Sequence, residues 1–110
     1  MSTSTRERVG LIWRIVPGKE SEYDARHAEM WPDLERRLHA FGVRAFSIYR
    51  RGETVFGHLE VDDYGALVAA YGRDPLAQAW ERDFAGLIEM DQPDPDTGWP
   101  ERLRHVWSLR

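Results

Sequence analysis

The chain has 110 residues, 42% hydrophobic and 31% charged, with 15 Lys and Arg against 19 Asp and Glu for a net charge of -4. That length serves one hydrophobic core and not two, the apolar content is too high for wholesale disorder, and the acidic, evenly mixed charge argues against a nucleic-acid partner. Cysteine is absent, which excludes disulfides, thiolate nucleophiles and Cys-ligated zinc, and no apolar run approaches the roughly 20 residues that cross a bilayer.

Residues 1–8 are polar and without apolar period, and read as a flexible leader ahead of a single domain over 9–110. With no apolar stretch for export, a cytoplasmic location is expected. Val9, Leu11, Trp13 and Ile15 alternate with Gly10, Ile12, Arg14 and Val16, the period of a strand, which Pro17-Gly18 closes. Lys19 to Phe41 is helix-rich, with Tyr23, His27, Met30, Trp31, Leu34 and Leu38 along one side and Gly42 as the stop. Pro32 lacks a donor and disfavours helical geometry at Trp31, so the helix is predicted to bend or restart there.

Val43–Arg50 and Thr54–Val61 are β-rich and joined by Arg51-Gly52-Glu53, which predicts an antiparallel hairpin. Asp62-Asp63 offers an N-cap to a helix over Tyr64–Tyr71 that stops at Gly72. Asp74-Pro75 opens a third helix, with Leu76, Ala79, Trp80, Phe84 and Leu87 as its apolar stripe, predicted to run to about Glu89. Asp91–Pro100 holds three Pro, three Asp and one Gly and reads as a loop; Leu103–Leu109 alternates as a last strand. The order is that of an α+β, ferredoxin-like βαββαβ fold with a four-stranded antiparallel sheet. Helices cover one sheet face. The other would carry Trp or Ile side chains with nothing of the chain to cover them, which points to a homodimer or to a ligand floor.

Five Trp in so short a chain either line a site for sugars and other ring-shaped ligands or fill cores and interfaces; on composition alone packing is the ordinary reading. The chemistry concentrates in Tyr23-Asp24-Ala25-Arg26-His27-Ala28-Glu29-Met30-Trp31-Pro32-Asp33. Spacings of four put a phenol, an imidazole and an indole, from Tyr23, His27 and Trp31, on one helical face. Histidine is the side chain that exchanges protons near neutrality without a special environment, although a lone helical histidine is more often a packed or solvated residue. His39, His58 and His105 fall on other elements, and no H-x-x-x-H or H-E-x-x-H spacing is present for zinc or iron. The acids at 62–63 and 91–96 lack the calcium-loop pattern and read as caps and a solvated loop. Neither a Gly-rich phosphate loop nor a Gly-x-Ser-x-Gly elbow occurs, so nucleotide cofactors and covalent hydrolase chemistry are not indicated. Arg14 and Arg26 read as surface ion-pair partners.

With Tyr23, His27 and Trp31-Pro32-Asp33 in view, the chain resembles the L-rhamnose mutarotase family, small homodimeric aldose mutarotases with a ferredoxin-like dimeric α+β barrel. The likeness runs from about Val9 to Leu109 and includes Phe46-Ser47-Ile48-Tyr49, Gln78-Ala79-Trp80, the Pro- and Asp-rich loop and the closing segment. The resemblance implies a histidine proton donor at His27 and a substrate-contacting tyrosine at Tyr23. A further sugar contact, tyrosine in the best-known members, falls at Phe46, and a tandem aromatic pair falls at Trp80 and Glu81. A hydroxyl and an indole are therefore missing and a carboxylate is gained, which alters the pairing of sugar hydroxyls.

Mutarotation opens a pyranose hemiacetal and recloses it on the other face, so an acid protonates the ring oxygen while a base removes the anomeric proton. No cofactor or metal is required. The expected arrangement has His27 as proton donor, Tyr23 positioning a hydroxyl, and Trp31 or Trp80 against the sugar's C–H face; Glu81, Tyr49 or a bound water serves as base. Two rival readings use the same architecture: another small-molecule enzyme, of polyketide cyclase or cofactor-free oxygenase type, and a non-catalytic sugar-binding dimer. In every reading the partners are a small molecule and a second copy of the chain, with no nucleic acid and no membrane.

Overall fold

Strand β1 (Glu7–Ile15) is the spine of the computed structural model, which describes residues 6–109. It alternates buried Val9, Leu11, Trp13 and Ile15 with less buried neighbours, so one face of the strand belongs to the core. Two helices follow, α1 (Glu20–Ala28) and α2 (Pro32–Ala40), then β2 (Val43–Arg51) and β3 (Thr54–Val61), helices α3 (Tyr64–Arg73) and α4 (Pro75–Phe84), and the short strands β4 (Ile88–Glu89) and β5 (Glu101–Leu103). The sheet order is β2-β3-β1-β4, with β5 also on β1. All pairings are antiparallel, and β1 and β3 run together from Glu7 opposite Val61 to Arg14 opposite Thr54. This is the expected βαββαβ arrangement, each helical layer being two helices.

The core lies between the helices and the sheet face that carries Val9, Leu11, Trp13, Ile15, Val55, Leu59 and Val61. Tyr23, Leu34, Leu67, Ala77, Trp80 and Phe84 meet it from the helices. Ile15, Val55 and Val61 have no exposed surface, and fully burying each such side chain contributes roughly 1.5–3 kcal/mol. Gly57 on β3 leaves room for the Trp13 ring: a Cβ there would lie 3.0 Å from it and 3.2 Å from Phe46. Glycine at that position thus lets two aromatic rings lie against the sheet backbone.

The helical region after β1 restarts at Pro32 as expected. Trp31 is the N-cap in extended geometry, and Pro32 takes the first helical position, where its missing N–H costs nothing. Asp63 and Asp74 cap α3 and α4, their carboxylates accepting from the Ala66 and Ala77 amides.

Three boundaries differ from expectation. The first strand begins at Glu7, not Val9, because Glu7 and Arg8 pair with Val61 and Glu60 and the Glu7 carboxylate also accepts the Tyr64 amide; of the rest of the expected leader, Arg6 precedes the strand and residues 1–5 lie outside the described residues. Helix α4 ends at Phe84. The chain turns through Ala85–Leu87 so that Ile88 can pair with Ile15, and the Leu87 carbonyl accepts the Val16 amide. The last strand spans only Glu101–Leu103; residues 104–109 make no ladder, although their alternation suggested one. Alternation marks a half-buried strand, and here Val106, Trp107 and Leu109 find nothing of this chain to bury against, being 87%, 73% and 81% exposed.

β4 and β5 occupy the same side of β1. Glu89 stands opposite Arg14 and Glu101 opposite Ile12. The fourth strand is therefore one strand interrupted by an excursion, residues 90–100, that carries Met90 and Trp99 onto the core. Among the described residues no helix is long and apolar enough to cross a membrane.

Candidate active site

A cavity of about 490 Å³ lies between the buried sheet face and the helices, within the usual volume of a small-molecule site. Trp13, Tyr23, His27, Phe46, Trp80 and Glu81 all border it. Of the residues singled out from sequence, Tyr23, His27, Phe46, Trp80 and Glu81 thus meet at one place, joined by Trp13.

Tyr23 faces inward from α1 and is buried, and its phenolic oxygen accepts a hydrogen bond from Trp13 Nε1 at 3.1 Å. Its own hydroxyl proton has no acceptor among the described residues. Burial pushes the Tyr23 pKa up to about 12; the Trp13 hydrogen bond offsets part of that rise, while Asp24 and Glu81 add to it. Tyr23 is therefore a phenol, never a phenolate, at physiological pH.

His27 stands one turn later. Its Nδ1 lies 3.1 Å from the Tyr23 carbonyl oxygen, an atom that can only accept, so Nδ1 carries hydrogen and Nε2 is the nitrogen left for chemistry. No hydrogen-bond partner of Nε2 is found among the described residues. Tyr23, Phe84 and Trp80 surround the imidazole with ring-centre separations of 4.6, 5.0 and 5.9 Å. An imidazole with one nitrogen anchored and aromatic walls on several sides has a fixed direction for proton transfer.

Trp80 is buried and packs on Phe84 at 4.7 Å. Phe46 is 44% exposed and reaches the cavity from β2, on the same sheet face as Leu59 opposite it. Trp31 does not border the cavity. It stands behind Trp80, edge-on at 5.1 Å, because the helix breaks between Ala28 and Pro32 and the four-residue spacing from His27 no longer implies a shared face. Tyr49 is corrected as a candidate base: it pairs with Phe56 on the outer sheet face and is 66% exposed, away from the cavity.

Glu81 accepts a hydrogen bond from the Tyr71 hydroxyl at 2.7 Å. The residue reaches solvent at the cavity mouth, yet protein crowds its carboxyl, and this desolvation raises its pKa above the ordinary carboxylate value despite the opposing effect of the Tyr71 bond. Burial together with the Glu81 charge drives the Tyr71 pKa far upward, so Tyr71 holds its proton. Tyr71 was not legible as a site residue, since only the packing of α3 on α4 brings it to Glu81. Trp99, from the excursion, packs edge-on against Tyr64 and Tyr71 at 5.7 and 5.4 Å and borders the cavity with Pro100. Nothing in the Pro- and Asp-rich segment foretold that roof.

Arg14 pairs with Glu89 and Asp91, and Arg26 with Glu22 and the Asp83 carbonyl, as expected of surface cations. Among the described residues no three His, Asp or Glu side chains are grouped to hold a metal ion.

The family model described as L-rhamnose mutarotase matches residues 8–109. An L-rhamnose mutarotase of Listeria monocytogenes is 32% identical over 87 residues, covering 77% of this chain and 83% of the relative. One from Mesorhizobium japonicum is 34% identical over 103 residues, covering 91% and 97%. Among solved structures, an L-rhamnose mutarotase from Formosa agariphila superposes with a TM-score of 0.73 at 23% identity, covering 94% of this chain and 99% of that one. Tetracenomycin F2 cyclase of Streptomyces glaucescens, a type-II polyketide cyclase, superposes at 0.67 with 19% identity, covering 94% and 97%. The two superpositions share the fold alone, whereas the sequence matches extend along the chain from β1 to beyond β5: this chain belongs to the L-rhamnose mutarotase family.

Proposed function

We propose that this protein interconverts the α and β anomers of an aldose, L-rhamnose or a related deoxy sugar, without a cofactor, with His27 as the proton donor. The observation that carries the reading is the His27 imidazole, anchored through Nδ1 on the Tyr23 carbonyl and open at Nε2 beside a cavity of sugar-holding size. The acid is the doubly protonated imidazole: with Nδ1–H held on the Tyr23 carbonyl, His27 gives its Nε2 proton to the ring oxygen as the C1–O5 bond breaks and is left neutral. The open aldehyde turns about C1–C2 and the ring recloses on the other carbonyl face. Tyr23 donates its free hydroxyl proton to a sugar oxygen, and Trp80 and Phe46 pack against C–H groups. Trp31 supports Trp80 from behind.

The working form is a homodimer, supported by the apolar residues left uncovered on the outer sheet face and in the segment after β5. A cytoplasmic location accords with a small-molecule sugar substrate.

Saturation-transfer NMR with L-rhamnose, L-fucose and a panel of common aldoses tests the reading. Wild type accelerates anomer exchange for at least one sugar, and His27→Ala lowers the rate about 10²- to 10⁴-fold with the fold retained. Exchange that no sugar shows overturns the mutarotase reading; an undiminished His27→Ala overturns the histidine's role.

A further inference from the structure

Mutarotation moves two protons, one onto the ring oxygen and one off the anomeric hydroxyl, and His27 accounts for the first. Of the other protonable groups at the cavity, Tyr23 keeps its proton at physiological pH, and Tyr71 donates its hydroxyl to Glu81. Glu35 and His39 border the cavity from exposed positions on α2, and His39 Nδ1 is engaged with the Val43 carbonyl oxygen. Glu81 has three properties that none of these has together. It follows Trp80, whose ring packs on His27; it borders the same cavity as His27; and Tyr71 fixes its Oε2 while Oε1 has no hydrogen-bond partner among the described residues.

We propose that Glu81 is the general base of this reaction, its carboxylate taking the anomeric hydroxyl proton, with Tyr71 as the positioning residue that aims it. This rests on the mutarotase reading above. As the C1–O5 bond breaks, its electron pair goes to O5, which takes the proton from His27 Nε2. The anomeric O1–H proton passes to Glu81 Oε1, and the O–H electron pair becomes the new C1=O1 π bond. On reclosure the C5 hydroxyl attacks C1 and returns its proton to His27, while O1 recovers a proton from Glu81. Both residues end as they began, and no oxidant, metal or cofactor enters the balance.

A carboxylate whose pKa is lifted by desolvation holds a proton more strongly than an ordinary one, which suits a general base. The raised Glu81 pKa, from desolvation, points the same way. The titratable groups around it are Tyr71 from α3, Tyr23 from α1, whose own ionisation its charge disfavours, His27 from α1 in the shared cavity, and Arg82 beside it on α4 at the shallow outer depression. The residues of the excursion that line these cavities with it, Met90, Thr97, Gly98, Trp99 and Pro100, are uncharged.

The sign of the pH effect follows. Glu81 must be ionised to act, so kcat/KM falls as pH drops through its pKa. The Tyr71 hydrogen bond lowers that pKa, so removing the hydroxyl moves the acid limb toward higher pH.

The test measures saturation-transfer exchange against pH, with the sugar that wild type accelerates, for wild type, Glu81→Gln, Glu81→Asp and Tyr71→Phe. Glu81→Gln, nearly isosteric and at the solvent-facing mouth, is expected to lower kcat about 10²- to 10⁴-fold with KM nearly unchanged and to lose the acid limb. Glu81→Asp recovers part of the rate and keeps that limb, and Tyr71→Phe shifts it upward. Circular dichroism confirms that each variant is folded. A Glu81→Gln kcat within about threefold of wild type, or a change confined to KM, overturns the proposal. If wild type is active, His27→Ala is dead and Glu81→Gln is not, the base assignment alone falls; if wild type accelerates no sugar, both readings fall together.

Discussion

Tyr23 carries two loads on one oxygen. It accepts the buried Trp13 indole N–H and has a hydroxyl proton besides, so a packing bond and the proposed substrate contact share an atom. Tyr23→Phe is expected to lower unfolding free energy by about 1–3 kcal/mol, the cost of leaving a buried donor unpaired, and to slow anomer exchange. Urea denaturation beside the NMR assay checks both. Replacing Trp13 as well, in Trp13→Phe/Tyr23→Phe, removes the orphaned donor and shows less than additive loss; strict additivity would mean the bond is worth nothing. At this scale the sequence was informative where residues share a continuous element. Tyr23 and His27 are one turn apart inside α1, and Trp80 and Glu81 are consecutive on α4. Trp31 was misplaced because its spacing from His27 spans a helix break. Tyr71 escaped notice because no spacing rule relates neighbouring helices.

Elements begin where local chemistry says and end where tertiary contacts say. The starts of α2, α3 and α4 were readable, since Pro32, Asp63 and Asp74-Pro75 satisfy or delete the free amides of a first helical turn with their own atoms. Asp63→Ala removes the acceptor of the Ala66 amide and is expected to cost about 0.5–2 kcal/mol, seen as a lower urea midpoint with an unchanged slope and an unaltered exchange rate per folded molecule. The end of α4 was not readable. Its stripe continues through Leu87, but Ile15 and Val16 offer a ladder to Leu87–Glu89, and a two-residue strand made only by that pairing leaves no periodicity of its own. The closing segment erred in the opposite direction, its alternation having no surface within the chain to meet.

For the molecule as a whole, the two sheet faces have different fates. One is filled by helices and cavity. The other leaves Tyr49, Phe56 and Leu103 exposed at 66%, 40% and 40%, with Val106, Trp107 and Leu109 beyond the sheet edge. Apolar surface of this extent is unusual on a monomer, and a second copy presenting the same face would close it by symmetry. Sedimentation equilibrium is expected to give a dimer for wild type and a monomer for Tyr49→Arg/Trp107→Glu. A wild type that sediments as a monomer at micromolar concentration sinks the dimer. Sequence parity supplied this face in outline, because Ile12, Tyr49, Phe56 and Leu103 alternate with core positions. It could not apportion it, since which side a cavity opens on depends on how far the helices stand from the sheet.

The interrupted fourth strand separates two kinds of inheritance. Glu89 and Glu101 meet β1 at Arg14 and Ile12, so the whole of residues 90–100 is looped out at the expense of a single rung, opposite Trp13. Register on either side of the gap is set by β1 and is indifferent to the length of what lies between. Insertions or deletions between Met90 and Trp99 can therefore reshape the roof over the cavity while the sheet floor, His27 and Glu81 keep their places, provided Met90 and Trp99 still reach the core.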